Sequence, residues 1–92
     1  MKVLTKAQLL KALQVKFPKA WFKDGAQFDG GHVNAVWSGE GSELPNGSPA
    51  FDYYGSGDLY QFGVSNEISK FVEARGWYWE CHDCGTYFAY VI

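Results

Sequence analysis

Hydrophobic residues recur at helical spacing near the start of the chain. The apolar side chains that share one helical stripe are Leu9, Leu10, Leu13 and Phe17. Thr5 and Gln8 have the spacing of a capping box, in which each side chain bonds the backbone N–H of the other residue. Pro18 cannot continue a helix, and it disfavours helical geometry in the residue before it. The pattern therefore predicts a helix over residues 6–16.

A second, shorter apolar stripe follows residue 65. Its members are Ile68, Phe71 and Val72. Ser65 is a favoured N-cap residue, and Gly76 suits the left-handed backbone that often ends a helix. These signals predict a helix over residues 66–75.

Between the two helices, short apolar runs alternate with glycine-rich turns. Within 21–62, strands are predicted over residues 21–23, 26–28, 32–37, 50–54 and 59–62. The pair Asp24-Gly25 is typical of a type I′ hairpin turn, so we expect it to join the first two of these strands. Residues 38–49 are rich in Gly, Ser and Pro and are predicted to form a loop, and residues 55–58 are predicted to form a turn.

The C-terminal part of the chain alternates between two faces. Trp77 and Trp79 share one face of a strand, and the pattern predicts a hairpin over 77–91 with its turn at His82-Asp83. The order of elements predicts a single α+β domain over residues 1–92, in which an antiparallel sheet carries both helices on one face.

The composition narrows the class of protein. The chain has 92 residues, of which 47% are hydrophobic, and it contains seven Phe, six Tyr and four Trp. This is more aromatic surface than one small core can hide, so we expect some of these rings to be exposed. No apolar run approaches the ~18 residues that a membrane span needs, and no signal-peptide pattern is visible at the start. We therefore expect a cytoplasmic protein without a membrane partner.

Charge is segregated along the chain, although the formal net charge is only −2. Residues 1–23 contain six lysines and no acidic residue, whereas residues 24–69 contain seven acidic residues and no lysine or arginine. Such asymmetry is typical either of a surface for charged partners or of a solvated lysine face beside acidic loops. The absence of lysine and arginine from residues 24–69 argues against direct nucleic-acid binding, because phosphate contacts need basic residues among the aromatics.

Cys81-His82-Asp83-Cys84-Gly85 is the sharpest local motif. It resembles one knuckle of a zinc ribbon, but structural zinc takes four ligands and the chain has a single pair of cysteines. A complete site would need His82 or His32 together with a carboxylate, or a second subunit. A redox pair would need a cysteine at a helix N-terminus, whereas this motif leads into a predicted strand. The more ordinary interpretation is a hairpin turn with two half-buried thiols, so we predict no metal and no cofactor.

No catalytic signature is visible, and we predict that the protein is not an enzyme. The serines lie outside a Gly-x-Ser-x-Gly elbow, and the glycine-rich segments lack the Gly-Lys-Ser/Thr of a phosphate loop. Tyr and Trp are instead the typical anchors of protein interfaces. A partner-binding surface is predicted at the acids and tyrosines of the middle segment, namely Glu40, Glu43, Asp52, Tyr53, Tyr54 and Asp58. An aromatic platform for sugars or nucleobases is an alternative use of the same rings.

Several segments together give the chain a wider resemblance. They are residues 30–37, 51–54, 62–64, 75–78 and 85–86, downstream of the capped first helix. In these segments the chain is similar to small orphan proteins carried by phages and prophages, several of which antagonise host defence, including anti-CRISPR proteins. The resemblance implies a stoichiometric inhibitor in the host cytoplasm. Such an inhibitor binds a host protein and occludes a nucleic-acid-handling defence complex.

Overall fold

Two α-helices and six β-strands form the fold in the computed structural model, which describes residues 3–55 and 58–92. The helices are α1 (Lys6–Lys16) and α2 (Asn66–Glu73). The strands are β1 (Lys23–Asp24), β2 (Val36–Gly39), β3 (Tyr60–Gln61), β4 (Val64–Ser65), β5 (Trp77–Asp83) and β6 (Thr86–Val91). Two 3₁₀ helices, Gly25–Gln27 and Gly30–His32, lie between β1 and β2.

Strands β1, β2, β6 and β5 form one antiparallel sheet in that spatial order. β5 and β6 make the predicted C-terminal hairpin, with Trp79 opposite Ala89. β3 and β4 pair with each other in a second antiparallel sheet, and an isolated bridge joins Phe51 to Val64. The two helices and the antiparallel strands confirm the predicted α+β class.

Helix α1 has the predicted bounds because both of its ends are specified locally. The Thr5 hydroxyl accepts a hydrogen bond from the Gln8 backbone N–H at 3.2 Å, and the Gln8 side chain accepts one from the Thr5 N–H at 2.9 Å. At the other end, the N–H of Phe17 donates to the carbonyl of Leu13 at 2.8 Å, and the proline that follows stops the helix. The capping box inferred from the sequence is therefore present.

Helix α2 begins after the Ser65 N-cap, as predicted, but it ends at Glu73 rather than at residue 75. The Ser65 hydroxyl accepts from the backbone N–H of Glu67 at 3.3 Å. Gly76 has φ +88°, so the left-handed backbone lies at the predicted glycine even though regular helix stops earlier.

The main core lies between one face of the four-stranded sheet and the two helices. Its fully buried members include Leu9, Leu13, Phe17, Val36, Ile68, Val72, Trp77, Tyr87 and Ala89. Each such aliphatic or aromatic side chain stabilises the fold by roughly 1.5–3 kcal/mol relative to an exposed position. The predicted placement of both helices on one face of the sheet is confirmed.

The opposite face of the sheet is covered by the segment that carries the two 3₁₀ helices. The ring of His32 stacks on Phe88 with centroids 3.9 Å apart and an interplanar angle of 11°. Phe28 meets the same Phe88 edge-on at 5.1 Å. This second layer explains why Phe88 is 1% exposed although it points away from the helices.

The hairpin predicted at Asp24-Gly25 is wrong. The Asp24 carboxylate accepts from the N–H of Ala26 at 2.9 Å and caps a 3₁₀ helix instead of starting a reverse turn. A Cβ at Gly25 would contact the carbonyl oxygen of His32 and lie 2.7 Å from that of Ala35. A glycine is therefore needed at position 25, because these two carbonyls approach its backbone closely. The chain continues to β2, which pairs with β1.

Three other predicted strands are shorter than the sequence indicated. The strand expected over 32–37 starts at Val36, because residues 30–32 are in a 3₁₀ helix. Residues 50–54 contribute a single bridge at Phe51, and the strand over 59–62 is reduced to β3. Short strands depend on a neighbouring strand rather than on their own apolar pattern, so such runs are poorly specified locally.

The turn of the C-terminal hairpin lies at Cys84-Gly85 rather than at His82-Asp83. A register irregularity between Cys81 and Asp83 adds a residue to β5, and the Asp83 carboxylate accepts from the N–H of Gly85 at 2.9 Å. This hydrogen bond and a further one from Thr86 hold the pKa of Asp83 below its ordinary value. The predicted turn at 55–58 includes residues 56 and 57, which lie outside the described residues.

Candidate partner-binding site

Acidic and tyrosine side chains from one segment line a cleft of about 470 Å³. The predicted partner-binding residues at this cleft are Glu40, Glu43, Asp52, Tyr53 and Tyr54. Phe51 and Cys84 line it as well, and we call the surface formed by these seven residues the acidic cleft. The sixth predicted residue, Asp58, is exposed and does not line the cleft; its carbonyl accepts from the side-chain amide of Asn66.

Hydrogen bonds from other parts of the chain hold the wall that carries the two glutamates. The Trp21 indole N–H donates to the carbonyl of Glu40 at 2.9 Å, and the N–H of Glu43 donates to the carbonyl of Lys19 at 3.2 Å. Between them, the buried hydroxyl of Ser42 accepts from the backbone N–H of Trp21 at 3.1 Å. The loop predicted over 38–49 begins later, because residues 38 and 39 belong to β2, and hydrogen bonds join the rest of it to the segment that follows α1.

The floor of the acidic cleft is aromatic. Phe51 is 7% exposed and stacks on Tyr87, with ring centroids 4.6 Å apart, and it meets Trp79 edge-on at 5.0 Å. The Tyr87 hydroxyl is buried and has no hydrogen-bond partner among the described residues. Burial, followed by the nearby Cys81 thiol, raises the pKa of Tyr87. The floor is therefore a buried ring packed against two further aromatic side chains.

The rim combines a carboxylate with two exposed rings. Asp52 accepts from the N–H of Tyr54 at 3.1 Å, and its own N–H donates to the carbonyl of Gly63 at 2.8 Å. Tyr53 and Tyr54 form an edge-on pair 5.2 Å apart, and 51% and 86% of their respective surfaces are exposed. Exposed tyrosines beside fixed carboxylates can contact a cation through both charge and ring face.

Sequence reasoning missed three residues at or beside this site. Phe51 directly precedes Asp52 in the sequence, whereas Cys84 comes from a distant segment and reaches the cleft by tertiary packing alone. Phe62 is 85% exposed at φ +54° in the turn between β3 and β4, next to the backbone that bonds Asp52. The sequence predicts that Phe62 ends a strand over 59–62. The structure instead places it in the two-residue connection after β3, where its side chain is exposed.

The residues considered for a metal site lie apart from the acidic cleft, except Cys84. His32 and His82 meet edge-on at 5.5 Å on the outer face of the sheet, and Cys81 and Cys84 are exposed free thiols rather than half-buried ones. His32 Nδ1 is 2.6 Å from the carboxylate of Asp29, which lowers the pKa of Asp29. Over residues 3–55 and 58–92, no group of three or more His, Cys, Asp or Glu side chains is arranged to hold a metal ion.

The fold is an α+β domain, and its surface carries a cleft lined by acidic and aromatic side chains. Comparison of the chain with protein-family models, with curated proteins and with solved structures gave no significant match. Within the part of the chain that the structure describes, neither helix is long and apolar enough to cross a membrane.

Proposed function

We propose that the chain is a non-enzymatic protein-binding module whose acidic cleft binds a lysine- or arginine-rich segment of a partner protein. One observation carries the proposal: two glutamates, an aspartate and two exposed tyrosines converge on a single cleft with a buried aromatic floor. Tyrosines of this kind anchor interfaces, and fixed carboxylates select for arginine and lysine.

The charge around the cleft supports a cationic partner. Among the residues that the structure describes, no lysine or arginine lines the acidic cleft, and residues 24–69 of the sequence contain none. A concave surface of one charge sign focuses the electrostatic potential and accelerates encounter with the opposite charge. An arginine side chain inserted here would meet carboxylates at the rim and ring faces at the rim and floor.

We further propose that the partner is a nucleic-acid-handling complex of a host cell, and that binding occludes its basic surface. Proteins that bind nucleic acid present clustered Lys and Arg to the phosphates. An acidic cleft fits such a cluster, and this agrees with the resemblance to phage-encoded inhibitors of host defence. The chain would then act in the cytoplasm of that host by stoichiometric binding, without chemistry.

The test is partner capture followed by charge reversal in the cleft. The tagged chain would be used to recover proteins from host lysates, and the affinity of each identified partner would be measured by calorimetry. We expect Glu40→Lys combined with Glu43→Lys to weaken binding by about 100-fold or more, because like charges then face the partner's cations. The matched control is Asp58→Lys combined with Glu73→Lys, which makes the same charge change on exposed residues outside the cleft.

Two results would contradict the proposal. Full affinity in the Glu40/Glu43 variant would show that the cleft does not contact the partner. Equal losses in both double variants would show that only overall charge matters. Circular dichroism of each variant checks that the fold is retained.

A further inference from the structure

A second surface site, a shallow depression, lies between the two helices, away from the acidic cleft. It has a volume of about 650 Å³. Its lining residues come from α1, from α2 and from the segments flanking them, namely Leu4, Gln8, Lys11, Ala12, Val15, Lys16, Phe71 and Arg75. We call this surface the helical groove. It shares no residue with the acidic cleft, so its function can be tested independently.

Helix α1 has a second stripe besides the one that it buries. Leu9 and Leu13 are fully buried in the core. The residues facing the helical groove recur at the three- and four-residue spacing of a helical contact face, namely Gln8, Lys11, Ala12 and Val15. Val15, at the C-terminal end of this stripe, is 75% exposed, and Ala12 is half-buried. Polar and apolar side chains are therefore mixed on this face of the helix, so it offers both charge and apolar contact to a further element.

Helix α2 and the residues after it supply the other wall. Phe71 is half-buried and packs edge-on against Phe17, with ring centroids 5.3 Å apart. The guanidinium of Arg75 lies over the Phe71 ring at 3.6 Å and donates to the carbonyl of Phe71 at 2.8 Å. These contacts fix Arg75 at the edge of the helical groove, where a planar guanidinium can take a carboxylate in bidentate geometry.

The charged side chains of the helical groove indicate which kind of partner fits it. Three cationic side chains, Lys11, Lys16 and Arg75, line this surface together with the apolar Leu4, Val15 and Phe71, and no acidic side chain within residues 3–55 and 58–92 lines it. We propose that the helical groove binds an acidic amphipathic helix of a partner protein. Such a helix would lay its apolar stripe on Val15 and Phe71 and present carboxylates to the three cations.

The mixed lining of the surface favours a helix over a membrane. A membrane-binding helix presents a broad apolar face, whereas here the exposed Gln8, Lys11 and Lys16 lie among the apolar side chains and the main apolar stripe of α1 is already buried. The eleven residues of α1 extend about 16 Å, which matches about three turns of an added helix.

The test uses a synthetic acidic peptide of about 14 residues, with leucines on one helical stripe and glutamates elsewhere. Binding of the fluorescein-labelled peptide to the full chain would be measured by fluorescence anisotropy. We expect Lys11→Glu to weaken binding about tenfold, since it places like charges in contact. The matched control, Lys70→Glu, alters an exposed lysine in α2 outside the groove and should change binding less than about twofold. Val15→Asp should also abolish binding, since it puts an unpaired charge among the apolar side chains of the groove.

Any one of the following four outcomes would overturn the inference. A peptide with lysine in place of every glutamate that binds equally well would show that the cations are not used. A scrambled peptide of the same composition that binds equally well would show that the helical stripe is not used. Tighter binding to phosphatidylglycerol vesicles or to an RNA oligonucleotide, lost in Lys11→Glu, would assign the groove to those ligands. Absence of peptide binding at about 1 mM would likewise overturn it. Retention of the unfolding midpoint in each variant excludes loss of fold as the cause.

Discussion

Phe62 is the one residue other than glycine with positive φ among those the structure describes. Its φ is +54°, and that of the following Gly63 is +80°. Tyr60 pairs with Ser65 and Gln61 with Val64, so these two residues form the whole connection between β3 and β4. Positive φ at both positions is the geometry of a type I′ turn, in which asparagine followed by glycine is favoured. An exposed phenylalanine in this position has a backbone cost of about 1–2 kcal/mol.

We therefore predict that Phe62→Asn stabilises the protein by about 1 kcal/mol, because asparagine tolerates the left-handed backbone and little apolar burial is lost. Urea unfolding followed by tryptophan fluorescence would measure the gain. Leu59→Asn is the control, since Leu59 is 71% exposed and has ordinary backbone angles. An equal change in both variants would argue against the backbone explanation. A gain in stability would show that Phe62 is not needed for folding, in agreement with the proposal that the surface beside the acidic cleft binds a partner.

At the scale of the element, α1 shows how far local signals specify a helix. The reciprocal bonds between Thr5 and Gln8 satisfy two backbone N–H groups at its start. No acidic residue in the first turn supports the helix dipole, so the capping box is the main local contribution at this end. The capping box also fixes where the helix begins, and it thereby helps to position Leu9, which lies one turn further on and is buried in the core.

We predict that Thr5→Ala destabilises the protein by about 1 kcal/mol, because the backbone N–H of Gln8 loses its acceptor. Thr5→Ser keeps a hydroxyl in the same place and should remain within about 0.5 kcal/mol of the parent protein. Chemical unfolding monitored at 222 nm would compare the three proteins. A serine variant as unstable as the alanine variant would show that the threonine acts through its methyl group instead.

At the scale of the whole molecule, the N-terminal segment is bound to the start of the C-terminal hairpin. The Trp77 indole N–H donates to the carbonyl of Leu4 at 2.8 Å across 73 positions of sequence. The N–H of Leu4 in turn donates to the carbonyl of Arg75 at 3.1 Å. Trp77 is 1% exposed, so this link lies at the edge of the core. These two hydrogen bonds join the segment that leads into α1 to the start of the hairpin formed by β5 and β6.

We predict that Trp77→Phe destabilises the protein by about 2–3 kcal/mol, because it leaves a small cavity and removes the donor to Leu4. Trp79→Phe is a matched comparison, since the Trp79 indole N–H is buried without a partner among the described residues. It should cost no more than about 1 kcal/mol, because the lost N–H was unsatisfied. Thermal and urea unfolding would measure both. Equal losses would show that packing volume, not the hydrogen bond, dominates.

The charge segregation of the sequence persists in part on the folded surface. Lys6 pairs with Asp24 at 2.8 Å, and Lys23 lies 5.4 Å from the centroid of the Trp37 ring, so these lysines are used within the fold. Lys11 and Lys16 instead border the helical groove. The acids of the middle segment are divided in the same way, because Glu40 and Glu43 line the acidic cleft while Asp24 caps a 3₁₀ helix.

Local signals in the sequence were sufficient for both helices, the C-terminal hairpin and the α+β class. Each helix signal acts within a few residues of the chain, namely the capping box, the proline after α1 and the glycine after α2. Such signals can be recognised in the sequence without knowledge of the fold. The same holds for the alternation that produced the hairpin at 77–91. Five of the six predicted binding residues, all within residues 40–54, line one cleft.

Packing between distant segments decided the rest. Asp24-Gly25 suits a tight turn locally, but the carbonyls of His32 and Ala35 approach Gly25 so closely that the chain continues into a 3₁₀ helix. Cys84 reaches the acidic cleft from a segment distant in sequence, and Asp58 does not line it. Contacts of this kind depend on the free energy of the whole packed chain rather than on local preferences, and so only the tertiary structure shows them.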